Sequence, residues 1–163
     1  MRLALAAALC CALMCACSSN EVLLSKSATV PAGMDLSGNW VLSGSTGTSQ
    51  RKARELAVHV FLEMGSALKV TQTDSGLFFS FDRSVVEEYR FGENREVSVG
   101  AITAARVSGW EDGAYVIETL DGDGAKLIDT YRMLREGSVL QRNIVIWDHD
   151  KKQLALEQIF DRM

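Results

Sequence analysis

The chain has 163 residues, of which 47% are hydrophobic and 23% charged, and its formal net charge is −4. Its basic residues are scattered, which argues against the basic face that a nucleic-acid partner requires. A single proline and a moderate hydrophobic content argue against a disordered chain.

The first seventeen residues carry an address. Arg2 supplies a positive step, Leu3 to Met14 is apolar, and Cys15-Ala16 precede Cys17. The apolar run is too short to span a bilayer, which takes about 20 residues, and has the length of a signal-peptide core. Met14-Cys15-Ala16-Cys17 resembles the lipobox of bacterial lipoprotein signals, with Met in place of the usual Leu. Residues 1–16 are therefore predicted to be a signal peptide and Cys17 the lipidated residue. Ser18, where an Asp would signal retention, favours the outer membrane by resemblance to the sorting rule of such proteins. Anchoring follows because each buried methylene contributes about 0.8 kcal/mol and two or more chains make attachment durable. All four cysteines lie at or before residue 17. The remaining chain can hold no disulfide framework, zinc–thiolate site or cysteine nucleophile.

Residues 18–34 contain the only proline, Pro31, and no sustained period. They read as a flexible tether. Asp35 to Met163 is one domain's worth of chain, long enough for a single core.

Within that domain Gly38–Leu42 reads as a first strand. Ala53, Leu56, Ala57, Val60, Phe61, Met64 and Leu68 then recur at i, i+3, i+4 and i+7, which predicts one amphipathic helix over about residues 50–64. Thr48 or Ser49 would cap its start and Gly65 its end. Everything after Gly65 reads as strand and turn: Ala67–Gln72, Gly76–Phe81, Val86–Phe91, Glu96–Val99, Ile102–Trp110, Ala114–Leu120, Lys126–Leu134, Val139–Trp147 and Gln153–Phe160. The breaks carry Gly, Asp and Asn, which tolerate the conformations tight turns need. Strands every 10 to 13 residues without a second helical period predict a mainly β domain, an antiparallel up-and-down meander of about 8–10 strands closing into a barrel. In Leu127–Leu134 one face carries Leu127, Asp129, Tyr131 and Met133; both faces hold apolar groups, so the interior face is not assigned.

Three segments together resemble a lipocalin-like (calycin-type) group of bacterial exported proteins. Gly38-Asn39-Trp40 looks like their Gly-x-Trp first strand. Trp110-Glu111-Asp112-Gly113-Ala114-Tyr115-Val116-Ile117-Glu118-Thr119 is similar to one of their hairpins. Thr130–Leu134 followed by Gln158-Ile159-Phe160-Asp161-Arg162 looks like their last strands and closing Arg. The resemblance implies a lipocalin-like barrel over residues 35–163, with the helix as a departure from it. In a closed barrel the first and last strands are neighbours, so Trp40 and Arg162 are predicted to meet as a cation–π pair that closes it.

Candidate chemistry is sparse. His59 falls on the polar helix side and His149 in an Asp-His-Asp turn, and no Gly-x-Ser-x-Gly elbow appears, so no catalytic residue is assigned. Asp121-Gly122-Asp123-Gly124 lacks the further ligands of a calcium loop, and Asp148-His149-Asp150 supplies too few for a metal; no metal or cofactor is expected. Glu87 and Glu88 point to opposite faces of a strand and form no catalytic pair. Glu118 and Asp129 read as a charged solvent face. Phe79, Trp110, Tyr115, Tyr131 and Trp147 are the candidate cavity or core aromatics.

The sequence thus predicts a lipid-anchored envelope protein, on the outer membrane and facing the periplasm, that binds an apolar or amphipathic small molecule without catalysis. The alternative is a structural, protein-interaction or inhibitor lipoprotein with a solid barrel. A cavity of a few hundred Å³ would mark the first; a close-packed centre with an exposed apolar patch would mark the second.

Overall fold

The computed structural model describes residues 21–83 and 85–163; Cys17 and the predicted signal peptide lie outside them. Ten antiparallel strands form one sheet: β1 (Gly38–Ser49), β2 (Ala67–Gln72), β3 (Gly76–Phe81), β4 (Val85–Arg90), β5 (Glu93–Val99), β6 (Ile102–Glu111), β7 (Ala114–Asp121), β8 (Ala125–Leu134), β9 (Val139–Asp148) and β10 (Lys151–Arg162). Their spatial order is β4-β3-β2-β1-β10-β9-β8-β7-β6-β5. Each strand pairs with its chain neighbour except β4 and β5, and one further pairing closes the ring. β1 pairs with β10, with Trp40 opposite Arg162 and Ser49 opposite Leu154. β4 and β5, joined by Phe91-Gly92, are the two edges of the sheet.

No ladder crosses that gap; side chains do. Arg106 of β6 reaches Glu87 and the backbone oxygen of Glu88 on β4, each at 3.5 Å. The Ser108 hydroxyl donates to the carbonyl of Arg90 at 3.0 Å. Edge strands expose unpaired backbone groups, and here charged and hydroxyl side chains satisfy some of them.

β1 runs seven residues beyond the predicted Leu42. Its second half, Gly44–Ser49, is small and polar and shows no apolar alternation, so nothing in it reads as a strand; pairing with the apolar β10 holds it there. A register shift between Leu42 and Gly44 inserts Ser43 as a bulge, which bends the strand and sharpens its twist.

The predicted helix is absent. Two 3-10 turns, Arg51–Arg54 and Ala57–Phe61, occupy the segment, separated by Leu56 in extended conformation. Thr48 and Ser49 belong to β1 instead of capping. Val58, off the predicted stripe, is buried, while Val60 and Met64 on the stripe are exposed. The reason is tertiary. Gln50 N–H donates to the carbonyl of Gln153, and Val58 N–H to the Asp121 carboxylate at 3.0 Å. These anchors fix the segment across the barrel mouth, and a continuous helix would not hold both. The run Val58-His59-Val60-Phe61 is also poor in strong helix formers.

Ala53 and Val58 drop from this lid into a cluster with Ala125, Leu127, Ile144, Ile146 and Leu154. A larger cluster fills the opposite end: Leu36, Trp40, Leu68, Val70, Leu77, Phe79, Phe81, Tyr89, Trp110, Tyr115, Ile117, Tyr131, Leu140 and Phe160. Leu36 and the half-buried Val30 and Met34 plug that end. Gln72 clamps the plug, accepting from Leu36 N–H and donating to the Met34 carbonyl, both at 3.0 Å.

Residues 21–34 of the segment read as a tether lie on the barrel. Ser27 exchanges two backbone hydrogen bonds with Trp110, extending the β6 ladder past the point where β5 begins. The Lys26 ammonium sits 2.7 Å from Glu118 and 3.0 Å from Glu111, and Glu21 pairs with Lys126. Residues 21–36 thus form a strap from the lid end down the outer wall to the plug. Gly109 permits it, since a Cβ there would sit 2.5 Å from the Ser27 oxygen.

Candidate functional site

Strand alternation decides what the barrel encloses. Along β8 the inward residues are Ala125, Leu127, Asp129 and Tyr131; along β9 they are Leu140, Arg142, Ile144 and Ile146; on β10, Gln158 lies between Leu154 and Phe160. Each strand therefore changes from apolar to polar and back. Because the strands are in register, with Arg142 opposite both Tyr131 and Gln158, the polar positions align into a belt between the two apolar clusters.

The belt is built around two guanidiniums. Arg142 is 1% exposed. It donates to both oxygens of Asp129 at 2.9 and 2.7 Å, to Gln158 at 3.2 Å and to the Glu63 carbonyl at 2.8 Å. Burial works against its charge, and the Asp129 carboxylate more than offsets this, so its pKa is raised. Tyr131 donates to the same carboxylate at 3.0 Å. Arg106 donates to Glu93 at 2.7 Å and to Glu87 at 3.5 Å, with its guanidinium 4.5 Å over the Tyr89 ring. The Tyr89 hydroxyl bonds Glu87. Burial pushes the hydroxyls of Tyr89, Tyr115 and Tyr131 above the ordinary phenol value, so each stays neutral and able to donate.

Four of the candidate aromatics come together beneath this belt. Phe79 and Tyr131 have ring centroids 4.5 Å apart, Phe79 and Tyr115 6.5 Å, and Trp110 and Tyr115 5.3 Å. Tyr89 and Phe91 join them. Trp147 does not; it is on the outer wall with the Lys152 ammonium 5.0 Å over its ring. Arg162 places its guanidinium 4.3 Å over Trp40 and donates to the Gly137 and Ser37 carbonyls at 2.7 and 2.8 Å. Asp129 corrects the expectation of a solvent face, because it is inside; Glu118 is outside but covered by Lys26. His59 and His149 stand apart, and no group of three or more potential metal ligands gathers among the described residues.

Sequence reasoning missed Arg106, Arg142, Glu93, Gln158 and Tyr89. The signal was present in part: Asp129, Arg142 and Gln158 each interrupt an inward-facing apolar alternation, Arg142 opposite Gln158 and Asp129 two residues before Tyr131, the β8 partner of Arg142.

No family model matches the sequence, and no curated protein matches it. Solved structures do resemble it. Fatty-acid-binding protein 1 of Echinococcus granulosus superimposes with a TM-score of 0.57 at 16% identity, covering 80% of this chain and 99% of that one. A Schistosoma mansoni fatty-acid-binding protein in complex with arachidonic acid gives 0.52 at 12% identity, covering 78% and 96%. A secretory abundant heat soluble protein from Ramazzottius varieornatus gives 0.52 at 11% identity, covering 78% and 94%. The fold is a calycin-type barrel. At these identities the likeness extends to the fold alone.

Proposed function

We propose that the chain is a non-catalytic binding protein for an apolar or amphipathic small molecule, held at the cell envelope by lipid on Cys17. The observation that carries the binding reading is the polar belt. A buried ion pair adds little to stability compared with well-packed apolar side chains of the same volume. A barrel shaped for stability alone would fill this height with leucine and valine. Small-molecule sites instead combine apolar walls with a few placed polar groups, and the interior has that composition. The solved fatty-acid-binding proteins of this fold support the same reading. The lid adds to it, being a cover of two 3-10 turns held over the apolar mouth through backbone donors at two points.

A second reading, the solid interaction module, is favoured by the six rings that pack against one another at the plug end, Phe79, Tyr89, Phe91, Trp110, Tyr115 and Tyr131. One purification separates them. Ser18–Met163 is expressed without lipid and extracted under native and denaturing conditions, and co-purifying small molecules are compared by mass spectrometry. A stoichiometric apolar compound in the native extract alone is the expected result. A clean protein that also takes up no apolar fluorescent probe would transfer the assignment to the solid module. The anchor is checked separately, by the mass of the mature N-terminus and by loss of membrane association in Cys17→Ala.

A further inference from the structure

Among the described residues five charged side chains are buried: Arg106 and Arg142 against Glu93, Asp121 and Asp129. Carboxylates therefore outnumber guanidiniums. Arg142 commits its Nε and one Nη2 proton to Asp129, a second Nη2 contact to Glu63 and its Nη1 to Gln158. Arg106 is held by Glu93, Glu87 and a backbone oxygen. Even the phenolic donors of Tyr131 and Tyr89 are spent on Asp129 and Glu87. A carboxylate entering this space would give up its water and meet cations already neutralised by resident carboxylates. Burying a charge without a partner is strongly unfavourable. The buried side-chain donor without a hydrogen-bond partner among the described residues is neutral: the indole Nε1–H of Trp110, a residue only 3% exposed. An unmet donor in apolar surroundings is itself unfavourable, and an uncharged acceptor oxygen relieves it.

We infer that the barrel selects amphiphiles with an uncharged, hydrogen-bond-accepting head, such as an ester, amide or alcohol, and discriminates against the ionised fatty acid of the same chain. This rests on the binding reading above. It places this chain's head-group preference in two ion pairs and one indole.

The test compares cis-parinaric acid with its methyl ester on native Ser18–Met163 at pH 7.5, read by probe fluorescence at submicromolar concentration. The two probes share one chain and differ in head charge. The ester is expected to bind at least tenfold more tightly, and Trp110→Phe to weaken the ester severalfold while leaving the acid unchanged. Glu93→Gln, which releases Arg106, is expected to narrow the gap by strengthening the acid. The comparison on the unaltered chain stands even if either variant misfolds. Acid binding equal to or tighter than ester binding overturns the inference while leaving the binding reading intact. Binding of neither probe overturns both.

Discussion

Removing Asp129 while leaving Arg142 in place strands a guanidinium that is 1% exposed. Breaking a buried pair in this way costs about 3–5 kcal/mol. Asp129→Ala is therefore expected to lower the unfolding free energy, read from urea titration, by an amount of that order. Asp129→Leu combined with Arg142→Met should recover most of the loss, because the pair is replaced whole; a double variant no more stable than the single would contradict the belt's assignment. At the closing seam, a guanidinium over an indole contributes about 0.5–2 kcal/mol, and Arg162 lies 4.3 Å from the Trp40 ring. Arg162→Ala, Trp40→Phe and their combination should show losses that fail to add; strict additivity in denaturant titrations would mean that the two contribute independently. Residues differ in how far sequence reveals them. Trp40 and Arg162 could be paired because closure of a barrel makes chain ends adjacent. Asp129 could not be placed, because both faces of β8 carry apolar groups. The outer face is apolar for a reason no local pattern contains, since the strap covers part of that wall.

At the scale of elements, the lid depends on one carboxylate. Asp121 accepts from the N–H groups of Val58, Asp123 and Ala125, so it closes the β7–β8 turn and ties down the lid together. Asp121→Ala should cost about 1–3 kcal/mol, the penalty for unmet buried groups, and should raise hydrogen exchange first at Val58. Exchange that rises uniformly across the sheet would point to global loosening instead. The strap depends on Lys26. Burial lowers the pKa of that ammonium, but Glu118 and Glu111 more than offset it, so the folded value stands above the ordinary 10.5. Its contribution is complete below pH 10.5 and is lost as pH rises through the raised folded value. A dye placed at Leu24→Cys in Ser18–Met163 should therefore lose anisotropy only above pH 10.5, while far-ultraviolet circular dichroism holds. Loss already at pH 9 would rule out the ion pair as the fastening. Gly109→Ala, by putting a Cβ 2.5 Å from the Ser27 oxygen and 3.1 Å from the Gly92 nitrogen, should release the strap at neutral pH and also lower barrel stability. The boundaries of β2 and β3 were legible to the residue, because apolar alternation and Gly-Asp turns agree there. The lid was misread because its apolar spacing fits a helix equally well, and its anchors, Gln153 and Asp121, lie far along the chain.

For the whole molecule, topology governs folding. The ring closes only when β1 meets β10, as with Trp40 and Arg162, so the last ladder joins the most distant parts of the domain. All-β chains dominated by such non-local pairings fold in milliseconds to seconds. Stopped-flow refolding followed by tryptophan fluorescence should fall in that range, and completion within microseconds would contradict closure as the late step. The strap has one more consequence. Glu21 meets Lys126, one residue past the turn that lies under the lid, whereas Leu36 sits at the plug. Glu21 itself therefore lies beside the lid. Cys17 is four residues further back, at most about 14 Å of extended backbone. With the lipid anchor proposed for Cys17, that reach would set the barrel with its mouth toward the membrane and its plug away from it.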